Sequence, residues 1–399
     1  MTPLDPLGAD IQAFRNAMLE FYGEFGRDLP WRRSGDPYRV LVSEMMLQQT
    51  RVDTVIPYFE RWMERFPNAE SLAEAGTEEV LRIWQGLGYY SRARNLHRAV
   101  REVQARYGGR IPEDPDELRT LSGVGPYTAG AVSSIAFGIP APAVDGNVRR
   151  VLARLMDDPA PSPSRLRRWA ATLVDPNRPG EFNQALMELG STICTPRAPG
   201  CDTCPVAEYC LARNRGTQQA RPEARSRSRV RRATEAVVAL LDGVVAGDGD
   251  GAGDGDGAED GAGERERVLM RRRPDDGLLG GLWELPGVTV EEAESPQAAA
   301  VRLSGELGGT ADGSVEGGPT LLRALEPFDH AFSHLRVRYH PFVFRVERAA
   351  PAEAVHPEFR GVGETLRWVA PTELERLPLP AAQARILSFL GLRDGSTAS

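Results

Sequence analysis

The 399-residue sequence predicts a multidomain protein in which an all-α part is followed by an α+β part. Three observations support this fold class. Apolar residues recur at helical spacing from Asp10 to about Arg213, strand-like runs begin after Glu235, and an Arg-rich stretch without apolar periodicity separates the two patterns. A chain of this length exceeds one ordinary core, so two or three domains are expected.

Helix-start signals accompany the apolar spacing in the first part, residues 1–213. Asp10 precedes an apolar run at helical spacing, Asp114 stands before Pro115, and Asp145 precedes a further apolar run. An aspartate can cap a helix, and a proline is well suited to its first position. No convincing strand precedes residue 234, so we expect this part to consist of short capped helices.

The middle stretch, residues 214–233, is predicted to be a basic linker. It could be only a solvated tether, or it could also contact a phosphate backbone. The sign of the net charge changes at the end of this stretch. Residues 1–233 carry 32 Arg and 28 acidic residues, a net charge of +4, and residues 234–399 carry 16 Arg and 28 acidic residues, a net charge of −12. The total of −8 therefore does not exclude a nucleic-acid partner.

The last part, residues 234–392 with a tail at 393–399, is predicted to be α+β. Its Gly/Asp tract at 246–263 cannot bury a core and is expected to be a disordered insertion. Strand-like runs and one terminal helix surround it: strands at 236–241, 268–272, 336–346 and 365–369, and a helix at 380–390.

No apolar run approaches the ~20 residues that cross a bilayer, and no basic-then-apolar leader is present. We therefore expect a soluble, cytoplasmic protein without a membrane partner.

All four cysteines of the chain lie within seventeen positions: Cys194, Cys201, Cys204 and Cys210. In a reducing compartment this clustering favours a metal site over disulfides or a redox pair. Tetrahedral zinc and an iron–sulfur cluster both remain open.

Two carboxylates are candidate catalytic groups. Glu44 lies within the apolar run 40–47, and it could face water or face inward, where burial would keep it protonated near neutral pH. Asp145 could be only an N-cap, or it could stabilise a developing cation. One neutral and one ionised carboxylate form the usual pair for cleaving a glycosidic bond. A third candidate is the turn at 121–125, where Gly123 and Gly125 precede a helix that can present amides to an anion.

These features resemble the helix–hairpin–helix DNA glycosylases that carry a 4Fe-4S cluster. The resemblance rests on the glycine turn, on Asp145 twenty residues later, and on the C-x6-C-x2-C-x5-C spacing. Within that superfamily it is closest to the adenine DNA glycosylases of the MutY type. That closer resemblance is carried by the stretches 29–32, 43–50, 85–92 and 144–147. It covers essentially the whole chain and favours iron–sulfur over zinc.

The resemblance implies hydrolysis of the glycosidic bond of an adenine mispaired with 8-oxoguanine or guanine in duplex DNA. It implies Glu44 as general acid and base and Asp145 as stabiliser of the oxocarbenium-like sugar, with support from Tyr127 and Asn147. The other implied contacts with the extruded base and the duplex are Arg32, Trp31, Gln49, Leu87, Tyr89, Gly123 and Gly125. For Gln49, Leu87 and Tyr89 the alternative is ordinary helix-end packing. A monomer associated with the nucleoid is expected.

Tyr127 occupies the position at which bifunctional relatives carry a lysine, and all 48 basic residues of this chain are Arg. A lysine-dependent strand-nicking reaction is therefore impossible, and a monofunctional glycosylase is expected. Two rival hypotheses remain. A bifunctional pyrimidine glycosylase/lyase is opposed by Tyr127, and a non-catalytic DNA-damage binding protein is opposed by the presence of both Glu44 and Asp145.

The last part resembles the Nudix-like (MutT-like) domain of the same family. Of the three glutamates in the Nudix motif only Glu306 remains, which makes a metal-dependent nucleotide hydrolase improbable. The resemblance instead implies recognition of 8-oxoguanine through Phe332, Ser333 and His334, with Ser333 as the direct contact. By itself this tripeptide would indicate only a turn.

Overall fold

The computed structural model describes residues 10–223, 230–242, 266–308, 318–332, 334–346 and 365–393. The chain divides into two compact units, Met1–Ser226 and Arg227–Ser399. The predicted disordered insertion and residues 394–399 of the predicted tail lie outside the described residues. An all-α unit followed by an α+β unit is the predicted fold class, and it is confirmed.

The described part of the first unit is helical. Its helices are α1 (Ile11–Phe25), α2 (Pro37–Leu47), α3 (Val52–Arg65), α4 (Ala69–Glu74), α5 (Thr77–Trp84), α6 (Ser91–Tyr107), α7 (Pro115–Leu118), α8 (Pro126–Phe137), α9 (Gly146–Leu155), α10 (Pro163–Leu173), α11 (Pro179–Thr192) and α12 (Leu211–Asn214). None of the described helices combines the length and apolar character that a bilayer span requires.

Two of the three predicted N-caps are confirmed. The carboxylate of Asp114 accepts from the amide of Asp116, and that of Asp145 accepts from the amide of Val148. The prediction for Asp10 is wrong, because its side chain makes no capping hydrogen bond. Its backbone, at φ −95° and ψ 10°, lacks the extended conformation of a typical N-cap, which aims the carboxylate at the first turn.

The helices of the first unit form two groups. Helices α2 to α8 form one group and pack against one another. In the other group α10, α11 and α12 each contact α9, and α1 contacts α11. In the second group the buried rings of Phe14, Trp169 and Phe182 share one core, and Cys194 and Cys204 pack against it. Helix α11 contacts both α8 and α9, so the groups meet along it.

Part of the predicted linker is folded against the first unit. The buried carboxylate of Asp157 accepts from Arg215 at 3.0 Å and pairs with Arg221 at 2.8 Å. Residues 215–223 are therefore attached to the turn after α9, whereas sequence composition suggested a free tether. Residues 224–229 lie outside the described part, and the first strand begins at Arg231, slightly before the predicted boundary.

The described part of the second unit contains a mixed sheet and three helices. The elements are β1 (Arg231–Asp242), β2 (Arg267–Arg272), β3 (Trp283–Glu284), β4 (Gly287–Thr289), α13 (Pro296–Gly308), β5 (Thr320–Ala324), β6 (Phe328–Ala331), β7 (Leu335–Val346), β8 (Thr365–Val369), α14 (Pro371–Leu374) and α15 (Ala381–Phe389). The four predicted strands and the terminal helix are all present, whereas β3 to β6, α13 and α14 were not foreseen.

The sheet has the order β3-β2-β1-β7-β5, and β1 runs parallel to β7 with Arg231 opposite Leu335. Alternate residues of a strand face opposite sides, and both sides of β1 are covered. Val238 packs with α13 on one face, and Val237 packs with α15 on the other. A central strand buried on both faces explains why its sequence is almost continuously apolar.

Candidate active site

A cavity of about 670 Å³ opens in the first unit. Helices α2, α8, α9, α10 and α11 contribute to its wall, so both helix groups form it. A pocket of this volume can hold a small organic ligand. Seven predicted site residues line it: Trp31, Arg32, Glu44, Gln49, Tyr127, Asp145 and Asn147.

Glu44 lies on α2 and is only 5% exposed. Burial raises the pKa of its carboxyl group from 4.5 to about 7; the hydrogen bond from Tyr127 lowers it, and the nearby carboxylate of Asp145 raises it. Near neutral pH a large share of Glu44 therefore carries a proton. This is the inward-facing arrangement that a general acid requires.

Tyr127, in the first turn of α8, donates its hydroxyl proton to Oε2 of Glu44. Its oxygen also lies 3.7 Å from Sδ of Met187 on α11. Burial raises the pKa of Tyr127 well above its ordinary value, and the charge of Glu44 raises it further. The phenol therefore remains a proton donor throughout the physiological pH range.

Asp145 is held in place by the start of α9. Its Oδ1 accepts from the amide of Val148 at 2.6 Å, and its Oδ2 accepts from the side-chain amide of Asn147 at 3.0 Å. Burial raises the pKa of Asp145, while both bonds lower it. The capping role and the cavity position therefore coexist, because capping fixes the direction of the carboxylate.

Arg32 is oriented by a buried acid that sequence reasoning missed. Glu188 on α11 is fully buried, and its Oε2 lies 2.9 Å from Nη2 of Arg32, while Oε1 pairs with Arg27. Glu188 stands within the apolar stretch 185–189, the same signal that singled out Glu44, so it could have been found. Trp31 beside Arg32 is buried, with its ring edge against Phe59.

The residues expected near the lesion occupy two turns. Gln49 is exposed in the turn after α2 and lines the cavity. Leu87 and Tyr89 lie in the turn between α5 and α6, apart from the cavity wall, and Tyr89 is 43% exposed. Leu87 is 5% exposed, as the packing alternative expects, so a role in filling a gap requires it to emerge when DNA binds.

The glycine turn lies between α7 and α8. Gly123 has φ +75°, and a Cβ there would stand 2.5 Å from Cβ of Asn95, so glycine is required at this position. Gly125 has φ −87° and nothing within 4 Å of a Cβ. The turn is fixed by Glu102, which accepts from both the amide and the hydroxyl of Ser122.

The four predicted metal-ligating cysteines lie close together. All four are free thiols and line a common cavity of about 30 Å³. Four thiolate donors are the ligand set of a 4Fe-4S cluster as well as of tetrahedral zinc. Burial raises the pKa of Cys204 to about 11, so ligation there must displace a proton.

Two arginines of α9 contact the cysteine loop. Nε of Arg150 donates to the carbonyl of Cys194 at 2.8 Å, and its Nη2 donates to Oδ1 of Asn147 at 2.9 Å. Nη1 of Arg154 lies 3.2 Å from Sγ of Cys194. Arg150 therefore links the loop to Asp145 through Asn147. Sequence spacing gave no signal of this link, because Arg150 and Cys194 are 44 residues apart.

In the second unit, the predicted recognition residues follow β6. Phe332 is partly buried, and its ring lies 4.7 Å from that of His330; its amide donates to the carbonyl of Leu335. His334 is exposed, and Ser333 lies outside the described residues. Glu306, the remaining Nudix glutamate, lies on α13 at 3.8 Å from Arg302.

Comparisons with known proteins agree with this division of the chain. Residues 42–176 match the family model of the HhH-GPD superfamily of base excision DNA repair proteins, and residues 262–389 match the NUDIX domain. The adenine DNA glycosylase of Homo sapiens is 37% identical over 97% of this chain and 76% of its own length. That of Mycolicibacterium smegmatis is 44% identical over 50% of this chain and 69% of its own. A thermostable thymine-DNA glycosylase of known structure is 30% identical, with a TM-score of 0.48, over 51% of this chain and 97% of its own.

Proposed function

Because this chain belongs to the adenine DNA glycosylases, we propose that its substrate is an adenine mispaired with 8-oxoguanine, or more slowly with guanine, in duplex DNA. It is a hydrolase of N-glycosyl bonds in base excision repair. The observation that carries the proposed mechanism is the pair of carboxylates in different environments, Glu44 and Asp145, at one cavity.

Glu44 is the general acid. Its raised pKa leaves a proton available near pH 7, and that proton passes to N7 of the extruded adenine. The C1′–N9 bond then breaks, and its electron pair leaves with the base. The resulting Glu44 carboxylate accepts a proton from the water that attacks C1′, which restores the starting form. Tyr127, which donates to Glu44, stabilises this carboxylate form.

Asp145 stabilises the positive charge that develops on the sugar. The bonds from Val148 and Asn147 hold its carboxylate in a fixed direction, so little reorganisation accompanies charge formation. Arg32, held by Glu188, and Trp31 contact the extruded base from the cavity wall. Gln49, Leu87 and Tyr89 fill the space that the base leaves.

The enzyme acts as a monofunctional glycosylase and as a monomer. A lyase reaction through a Schiff base needs an amine beside the reacting sugar. Here Tyr127 occupies the position at which bifunctional relatives carry that lysine, and all 48 basic residues of the chain are Arg. The product is an intact strand with an abasic site. Strong trapping of the protein on DNA by borohydride would contradict this part of the proposal.

Cys194, Cys201, Cys204 and Cys210 would hold a 4Fe-4S cluster. When bound, the cluster cross-links the loop 194–210 and supplies folding free energy to it. The second unit contributes recognition of 8-oxoguanine through Phe332, Ser333 and His334. The net charge of −12 on residues 234–399 suits specific reading of the lesion better than general attraction to phosphate.

Substitution of the acid by its amide tests the mechanism. Glu44→Gln keeps the size of the side chain and the hydrogen-bonding partner of Tyr127 but has no proton to transfer. We expect near-normal affinity for the adenine:8-oxoguanine duplex and no adenine release in single turnover. Equal release rates for the variant and the unmodified protein would refute the role of Glu44. Tight binding without release by both would instead support the damage-binding hypothesis.

A further inference from the structure

Arg92 is a buried cation in an unusual position. It is the second residue of α6 and is 6% exposed. A positive charge near a helix N-terminus opposes the helix dipole, so local helix stability does not explain it. Burial lowers the pKa of Arg92 to about 10, which shows that desolvation is not offset by a nearby acid. Its place must be explained by longer-range contacts.

One set of contacts joins Arg92 to the end of the catalytic helix α2 and the turn after it. Nη1 donates to the carbonyl oxygens of Met45 at 3.1 Å, Met46 at 2.6 Å and Gln48 at 2.6 Å. Nη2 donates to the hydroxyl of Thr50 at 3.1 Å. Carbonyls at the end of a helix lack intrahelical partners, and here the guanidinium supplies them.

A second set joins the same guanidinium to the turn between α5 and α6. Nη2 donates to the carbonyl oxygens of Leu87 at 3.2 Å and Gly88 at 3.1 Å. The rings of Trp84 and Tyr89 flank the guanidinium, with each centroid 5.3 Å from Cζ. One side chain therefore binds both turns that carry the predicted lesion-contacting residues.

Both turns contain backbone that needs outside support. Gln49 has φ +58° and Tyr89 has φ +48°, and neither is a glycine. Left-handed backbone at such residues persists only where the surroundings impose it. The bonds of Arg92 to Gln48, Thr50 and Gly88 fall on the immediate neighbours of these two residues.

We propose that Arg92 is a positioning residue that holds the Gln49 turn and the Leu87–Tyr89 turn together as one wedge, which opens the duplex at the mispair. This inference rests on the proposed release of adenine from duplex DNA. Arg92 is buried and does not line the cavity that holds Glu44 and Asp145. It acts through Gln49, Leu87 and Tyr89, and it fixes their distance from Glu44 because it binds the end of the same helix.

The test separates base extrusion from chemistry. In the non-cleaving Glu44→Gln background, the full-length protein with its iron retained binds a duplex that has 2-aminopurine beside the target adenine. The fluorescence rise reports loss of stacking. Arg92→Lys keeps the charge but cannot span both turns with three donors. We expect a several-fold smaller fluorescence rise at saturation and, with Glu44 intact, a single-turnover rate lower by about 100-fold.

Two further arms distinguish positioning from general damage. Arg101→Lys on the same helix is the matched control, because Arg101 also bonds carbonyls, those of Ala73 and Ala75, but is exposed and remote from the wedge. It should leave both signals unchanged. If Arg92→Lys fails to fold, Thr50→Val replaces it in the test, because it removes one hydrogen bond of Arg92. Thr50→Val should lower the fluorescence rise and the single-turnover rate by smaller amounts.

A duplex with the target adenine opposite an abasic site, which has no base pair to open, should restore most of the lost rate in Arg92→Lys. An unchanged fluorescence rise, or an equal loss of rate on the abasic duplex, would overturn the proposal. No adenine release by the unmodified protein from any duplex would refute the proposed function instead, and the fluorescence comparison would still decide the role of Arg92.

Discussion

Removal of the Tyr127 hydroxyl should make Glu44 a weaker acid and extend activity to higher pH. The bond from Tyr127 favours the ionised form of Glu44, whose pKa is about 7. A hydrogen bond to a charged group contributes about 1.5–3 kcal/mol, and about 1.4 kcal/mol corresponds to one pKa unit. Because the neutral carboxyl also accepts this bond, we expect Tyr127→Phe to raise the pKa of Glu44 by only about one unit.

The assay is the single-turnover rate of adenine release between about pH 5.5 and 9, a range that brackets the pKa of Glu44. Protonated Glu44 is the active form, so the rate of the unmodified protein should fall as pH rises through about 7. In Tyr127→Phe the fall should occur about one unit higher, even if the maximum rate is lower. Tyr107→Phe, which removes a hydroxyl bonded to Arg106 far from the cavity, should leave the profile in place. A fall at unchanged or lower pH in Tyr127→Phe would refute the coupling.

Three other variants probe the parts around the carboxylates. Gly123→Ala places a Cβ 2.5 Å from Cβ of Asn95 at a residue with left-handed backbone. A denaturation experiment should therefore show that the free energy of unfolding falls by about 1–3 kcal/mol. Gly125→Ala is the control and should leave the free energy of unfolding unchanged. Arg150→Gln breaks the link from the cysteine loop to Asn147 and should slow adenine release by roughly tenfold with the iron content retained; parallel iron and rate measurements check this. Cys204→Ser should lower the iron content and the melting temperature together, and full iron content in this variant would contradict the ligand set.

The sequence was most informative where function depends on local pattern. The cysteine spacing indicated a metal centre, and the apolar run around Glu44 made that residue a candidate acid, which the structure places inward at the cavity. Each of these signals is confined to one short stretch, positions 194–210 for the cysteines and 40–47 for the run around Glu44. The strands of the second unit were found where they are long or apolar, as for β1 and β7. Of the strands with two to five residues, β3 to β6 were missed and β8 was found.

Contacts between distant residues were not visible from the sequence. Glu188 reaches Arg32 from 156 residues away, and Arg92 reaches Met46 from 46 residues away. No periodicity or local propensity reports such pairs, since they depend on how helices pack. Even at Asp145 the pattern left capping and catalysis as alternatives, and only the structure showed that one carboxylate can both cap α9 and face the cavity.

The most direct test of the central claim is single-turnover adenine release from duplexes that carry adenine opposite 8-oxoguanine, guanine or thymine, with strand breaks scored before and after alkali. The proposed function predicts fast release opposite 8-oxoguanine, slower release opposite guanine and none opposite thymine, with breaks only after alkali. Equal release from all three duplexes would contradict recognition of the mispair, and absence of release by iron-loaded protein would contradict the roles given to Glu44 and Asp145.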